Sequence, residues 1–208
     1  MHGMRKTLSL GAGAAGLALL LAVSSASAQQ PPVRVRGTVE AVDGSILSVK
    51  SRDGAMLKVK LTDNVAVRAV VKASLADIKA GSYIGVTGMP QADGTQKAVE
   101  VHIFPEAMRG TGEGHRPWDL QPNSTMTNAN VDVAVTGVNG PEVTLKYKDG
   151  EKKIVVPADI PIVTYAPADK SELKPGAKIF IGATTKLDDG SLEASAVSVG
   201  RDGVAPPM

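Results

Sequence analysis

The chain repeats itself, and the repeat limits what it can fold into. Asp43-Gly44 and Asp53-Gly54 bracket one run of alternating apolar residues, and Asn139-Gly140 and Asp149-Gly150 bracket another. The interval from Gly44 to Gly140 equals that from Gly54 to Gly150, and Asp93-Gly94 and Asp189-Gly190 keep it as well. Ile78-Lys79-Ala80-Gly81 and Leu173-Lys174-Pro175-Gly176 match with an interval one residue shorter. Such spacing predicts one small structure present twice. At roughly 70 residues each unit sits near the lower size at which packing alone sustains a fold, so the two copies are expected to pack together.

Within each copy the period is two. Val33, Val35 and Val39 alternate, then Ile46, Leu47 and Val49, then Leu57, Val59 and Leu61, with Val65, Val67 and Ala69 extending or bending that strand. Asp-Gly pairs between such runs read as tight hairpin turns. The alternation breaks at Ser74-Leu75-Ala76-Asp77-Ile78, where Ser74 can cap a short helix that Gly81 ends. It resumes at Ile84 and Val86 and, past Asp93-Gly94, at Val99, Val101 and Ile103. The second copy repeats the order: Val131, Val133 and Val135; Val143 and Leu145; Ile154 and Val156. A short helix follows over Asp169-Lys170-Ser171-Glu172-Leu173, with Asp169 and Glu172 as a capping-box-like pair, then Ile179 and Ile181, then Leu192, Val197 and Val199. Three strands, a short helix and two strands is the order of an OB-like barrel. The expected fold is all-β with short helical turns, as two tandem OB-like five-stranded β-barrels over residues 33–104 and 131–200. Residues 105–130 connect them and 201–208 form a tail; a β-sandwich of seven or more strands is the structural alternative.

Residues 1–28 have the pattern of a cleaved export signal: Arg5 and Lys6, an apolar run over 8–23, and Ala26-Ser27-Ala28 before Gln29. An uncleaved anchor is the alternative, but the run is diluted by glycine and alanine and shorter than the roughly 20 apolar residues that span a bilayer. Residues 29–32 form a spacer. The formal net charge of +2 resides in Arg5 and Lys6, so the remainder is neutral. A nucleic-acid partner is therefore not expected, since phosphate binding calls for a basic excess. The chain has no cysteine, which excludes a lipid-modified cysteine and disulfide support for the core. After signal cleavage the protein is expected in the periplasm or secreted, and not embedded in a membrane.

Arg36 to Val49, the Leu75-Ala76-Asp77-Ile78-Lys79-Ala80-Gly81 turn, and Val86-Thr87-Gly88 followed by Asp93-Gly94-Thr95 resemble an uncharacterised bacterial family of exported OB-like domains of unknown function. The stretch from Met108 to Asp119 resembles a segment of a proteobacterial subgroup, some of whose members carry a metal-transporter permease label. The resemblance implies the fold and not an activity. A permease needs several membrane spans, and none is expected after signal cleavage.

The segment from Phe104 to Asn130 has no counterpart in the other copy and concentrates Glu106, Arg109, Glu113, His115, Arg116, Trp118 and Asp119. Long connections of this kind often carry function. One reading makes Trp118 a plug at the junction of the barrels with Arg116 and Asp119 paired beside it. The other makes Arg109, Arg116 and Trp118, with Asp119 orienting an arginine, a surface that recognises a partner protein or envelope component. A divalent-metal or small-ligand site centred on His102, His115 and Glu113 is the alternative. Alternation places His102 on the solvent face beside Glu100, between inward Val101 and Ile103.

Catalysis has little to work with. There is no cysteine and no Gly-x-Ser-x-Gly elbow, and only His102 and His115 remain beyond the signal. Asp53, Asp93, Asp149 and Asp189 are turn formers. Gly110-Thr111-Gly112-Glu113-Gly114 lacks the lysine and helix start of a phosphate loop. Lys58, Lys60, Lys146, Lys148, Lys152 and Lys153 read as a solvated outer face, with Tyr147 its only aromatic. The chain is expected to be a non-enzymatic binding or scaffold module without a cofactor.

Overall fold

The structure is a computed structural model that describes residues 33–137 and 140–208. The expected export signal, the spacer and Asn139 of the fourth turn lie outside the described residues. Twelve strands run in chain order: β1 (Val33–Asp43), β2 (Ile46–Ser51), β3 (Met56–Lys72), β4 (Tyr83–Pro90), β5 (Gln96–Ile103) and β6 (Gly114–Pro117). Then come β7 (Thr125–Gly137), β8 (Gly140–Tyr147), β9 (Gly150–Val155), β10 (Ile162–Pro167), β11 (Lys178–Lys186) and β12 (Leu192–Gly200). Helix is confined, among the described residues, to single 3-10 turns at Leu75–Asp77, Glu106–Met108 and Lys170–Glu172. The protein is thus nearly all β. Gly44 and Gly94 adopt φ of 56° and 85°, the left-handed geometry that makes Asp-Gly a hairpin turn.

Five strands close a barrel. β1 pairs antiparallel with β2 and β2 with β3; β3 lies parallel to β12, β12 antiparallel to β11, and β11 returns antiparallel to β1. Inward residues at period two fill it, among them Val35, Val39, Leu47, Val49, Val59, Ile179, Ile181 and Val197. Five more strands, β4, β5, β7, β8 and β9, form a further ring, with β6 paired to the side of β7. β4 joins β5 and β7, β8 joins β7 and β9, and β9 meets β5 in parallel at Gln96↔Ile154 and Lys97↔Val155. Ile84, Val86, Val101, Ala129, Val131, Leu145 and Ile154 form its core.

Neither ring follows the 33–104 and 131–200 boundaries expected from the sequence. The barrel begun by β1–β3 is completed by β11 and β12, and β4 and β5 instead complete the ring of β7–β9. The physical reason is β3, whose 17 residues exceed the usual strand of 3–10. Its second half pairs antiparallel with β10, at Val163↔Lys72, Tyr165↔Val70 and Pro167↔Arg68. β10 in turn lies parallel to β5, so the chain leaving β3 is delivered to the other ring.

The expected core pattern of β5 also shifts by a bulge. Thr87 faces Glu100 and Gly88 faces Ala98, so Val99 is skipped and Ala98 joins Val101 inside.

Candidate functional site

The alternation that points Ile84, Val86, Val101 and Ala129 into the ring turns Gly85, Thr87, Glu100, His102, Met126 and Asn128 outward. On a free sheet those positions would face water. Here they face the barrel's outward residues Phe180, Gly182, Ala196 and Ser198, and a cavity of about 300 Å³ lies between the two faces. Phe104, Met108, Thr111, Arg116 and Trp118 of the inter-repeat segment, Arg68 of β3, Tyr165 of β10 and Met208 also line it.

This changes the place of His102. Its side chain is buried (3% exposed), as is Glu100 (0%), in contrast to the solvent face expected from alternation. Alternation gives the side of the sheet correctly but not what covers that side. Thr87 Oγ1 donates to Glu100 Oε1 at 2.5 Å, and His102 Nδ1 lies 3.3 Å from Glu100 Oε2. With Nδ1–H directed at the carboxylate, Nε2 is left against Gly85 of β4, an acceptor in the neutral ring and a donor in the imidazolium. The imidazole meets Phe104 edge-on, with centroids 4.7 Å apart, and Phe104 continues to Tyr83 at 5.2 Å and Tyr165 at 5.8 Å. Gly85 makes room for it: a Cβ there would come within 2.0 Å of His102 Nε2 and 2.6 Å of Asn128 Oδ1.

Asn128 is nearly fully buried. Its Nδ2 donates to the Thr111 carbonyl at 3.0 Å, but Oδ1 has no hydrogen-bond partner. Tyr83 Oη donates to the same carbonyl at 3.1 Å. Burial, helped by the charge of Glu113 and opposed by Arg116 and Arg109, pushes the Tyr83 phenol up to about 12. Burial, with Glu100 nearby, also raises the Tyr165 phenol, so both stay protonated hydrogen-bond donors.

Trp118 forms the rim. Arg34 lies 3.9 Å from its ring centroid, Arg116 5.6 Å and Arg36 5.8 Å. Asp119 accepts from Arg36 Nη2 at 2.8 Å and lies 3.4 Å from Arg34 Nη1. Burial pushes the Asp119 carboxyl up, but the Arg36 hydrogen bond and the charges of both arginines win and hold it below the usual carboxylate range. Asp119 therefore orients arginines as expected, although they are Arg34 and Arg36 of β1 and not Arg116. Arg116 Nη1 donates to the Gly112 carbonyl at 2.7 Å, and burial followed by the charge of Arg34 lowers its pKa. Neither Arg116 nor Arg68 enters an ion pair among the described residues.

The segment after β12 returns to this place. Arg201 is clamped by Glu172, and Met208 is buried against Val70, Val163 and Phe180. Tyr165 Oη donates to Met208 Sδ at 2.8 Å, and Arg36 Nε donates to the Met208 carbonyl.

Of the expected recognition residues, Arg116, Trp118 and Asp119 are brought together and Arg109 is not. Arg109 binds Glu106 through Nε and Nη2, the Gly81 carbonyl through Nη2, and Asn130 through Nη1, so it ties the Glu106–Met108 turn to β7. The expected metal set does not assemble. His102 faces Glu100, His115 Nδ1 pairs with Thr127 Oγ1 at 2.8 Å, and Glu113 accepts the Lys148 N–H at 2.9 Å. No group of three or more histidine, cysteine or acidic side chains suited to a metal occurs among the described residues. Burial, then the charges of Lys152 and Arg116, lower the His115 pKa.

Sequence reasoning missed Gly85, Asn128, Tyr165, Phe180 and Arg68. Apart from Gly85, which carries no signal of its own, their only signal is polar or aromatic character on strand faces that alternation would leave in water. Among the described residues no helix is long and apolar enough to cross a membrane. A scan with protein-family models and searches of curated proteins and of solved structures found no match to this chain.

Proposed function

We propose that this chain is an exported, non-enzymatic binding module that holds a small ligand in the cavity beneath Trp118. We further propose that it arose as two duplicated OB-like barrels that exchanged their last two strands. The ring order supports the duplication, because β1–β2–β3–β12–β11 and β7–β8–β9–β5–β4 use the same sequence of parallel and antiparallel pairs. Export rests on the leader pattern of residues 1–28, and the absence of a named nucleophile–base pair in the sequence supports binding over catalysis.

The observation that carries ligand binding is the cavity itself: apolar and aromatic walls with the polar side chains of His102 and Asn128 among them. The test is fluorescence titration with N-phenyl-1-naphthylamine, a neutral apolar probe. Saturable binding that disappears in Ser198→Phe, with unchanged circular dichroism, is the expected result; absence of binding to the wild type overturns the reading.

A second reading keeps the expected partner protein or envelope component. It is favoured by the half-exposed Asp119 side chain (48%) at the rim beside Trp118 and Arg34. Its mark would be a partner captured by wild type and lost with Asp119→Lys while probe binding persists.

A further inference from the structure

We infer that the cavity takes a small amphiphilic anion, a flat apolar body carrying one anionic group. This rests on the ligand-binding reading above and names the class of ligand.

Charge comes first. Arg68 and Arg116 line the cavity, and no aspartate or glutamate side chain does; Met208, also in the lining, has its carbonyl held by Arg36. The two nearby acids are already engaged: Glu100 lies behind His102 and accepts from Thr87, and Asp119 is turned toward Arg34 and Arg36. A partly buried guanidinium without a counter-ion is unfavourable, and an incoming anion relieves it with charge-assisted hydrogen bonds. The crowding of Arg34 and Arg116 around one indole points the same way, since burial first and the charge of Arg34 second disfavour the Arg116 cation.

Shape comes second. Phe104, Tyr165, Phe180 and Trp118 present ring surfaces to a volume of about 300 Å³, at the small end for ligand sites. His102 and Asn128 add polar side chains to the lining.

The repeat supplies an independent argument. At the interval that relates Gly94 to Gly190, Glu100 corresponds to Ala196 and His102 to Ser198, and Ala196 and Ser198 line the opposite wall. Two equivalent outward faces thus meet, and only one bears an imidazole backed by a carboxylate. Packing alone would have been satisfied by small residues on both, as on the β12 side.

The test compares 1-anilinonaphthalene-8-sulfonate with N-phenyl-1-naphthylamine, which share an apolar body and differ in the sulfonate. Ser198→Phe, which fills this cavity, is expected to abolish binding of both probes and so separates a probe seated here from one bound elsewhere. Wild type is expected to bind the sulfonate at least about tenfold more tightly, and Arg68→Gln with Arg116→Gln to erase that preference while leaving the neutral probe within about twofold. Arg68→Gln alone, which removes no internal ion pair, guards against a folding defect in the double variant and is expected to lower sulfonate affinity severalfold. Equal affinity for both probes, or a sulfonate affinity that neither substitution changes, overturns the anionic class and leaves the cavity reading standing. Failure of both probes to bind overturns the cavity reading itself.

Discussion

Gly85 shows how a single missing side chain organises the site. Its hydrogen lets the His102 ring lie against β4 and reach Glu100 behind it. Gly85→Ala drives a methyl into His102, held by Glu100 and Phe104, and into Asn128, held by the Thr111 carbonyl, so yielding breaks those contacts. The expected cost is about 1–3 kcal/mol, measured by chemical denaturation, with a shifted His102 imidazole resonance. A destabilisation below about 0.5 kcal/mol with unchanged His102 signals would contradict the packing described. The turn aspartates behave differently. Asp93 and Asp189 accept from the hydroxyl and N–H of Thr95 and Ser191, and the side-chain hydrogen bond is the first cause holding each carboxyl below its ordinary 3.8. A depressed folded-state pKa gives stability that is full above the unfolded value and lost as pH falls through the folded one. Melting temperature followed from about pH 5 to about pH 2 should therefore fall less steeply in Asp189→Asn than in wild type below 3.8. Those turns were readable from Asp-Gly pairs because their cause is local. His102 and Glu100 were not, because their burial depends on a second sheet that no local pattern announces.

At the scale of elements, β3 and β10 decide the architecture. The sequence shows β3 as a strand that extends past Leu61 through Val65, Val67 and Ala69, and the observed 17-residue strand agrees. Its partner β10 has a weaker signature, since Ile162-Val163-Thr164-Tyr165 lacks clean alternation. The reason is that its faces are covered by different neighbours, the Val70–Phe180–Met208 cluster and the second ring's core. Val70 is fully buried at the centre of the β3–β10 pairing. Val70→Ala should cost about 2 kcal/mol from lost burial and residual cavity, and amide exchange should rise on both Val67–Lys72 and Ile162–Pro167. Faster exchange confined to β3 would argue against that pairing as the joint.

For the whole molecule, strand content and strand boundaries followed from period-two runs, yet ring membership did not. Which strand closes a barrel is set by where long connections land, and the connections after Ser74 and Asp169 carry no residue that names their destination. The pairing has an energetic consequence, because the barrel core draws on both ends of the described chain and the second ring's core on the stretch between them, so the rings are not two successive halves of the chain. Leu47→Ala in one core and Leu145→Ala in the other, both positions fully buried, should each remove about 2–5 kcal/mol and shift one common unfolding transition. Calorimetry that resolves two transitions moved separately by the two substitutions would show the rings to be independent. Slow folding is also expected, since closure waits on contacts between residues far apart in sequence.

A protease that nicks the exposed turn at Gly110-Thr111 would produce fragments that cannot part. The first would carry three staves of one barrel and two of the other ring, and the second the complement. The cut protein should travel as one particle under native conditions and come apart only in denaturant, like two hooked links whose metal has been sawn but not bent open.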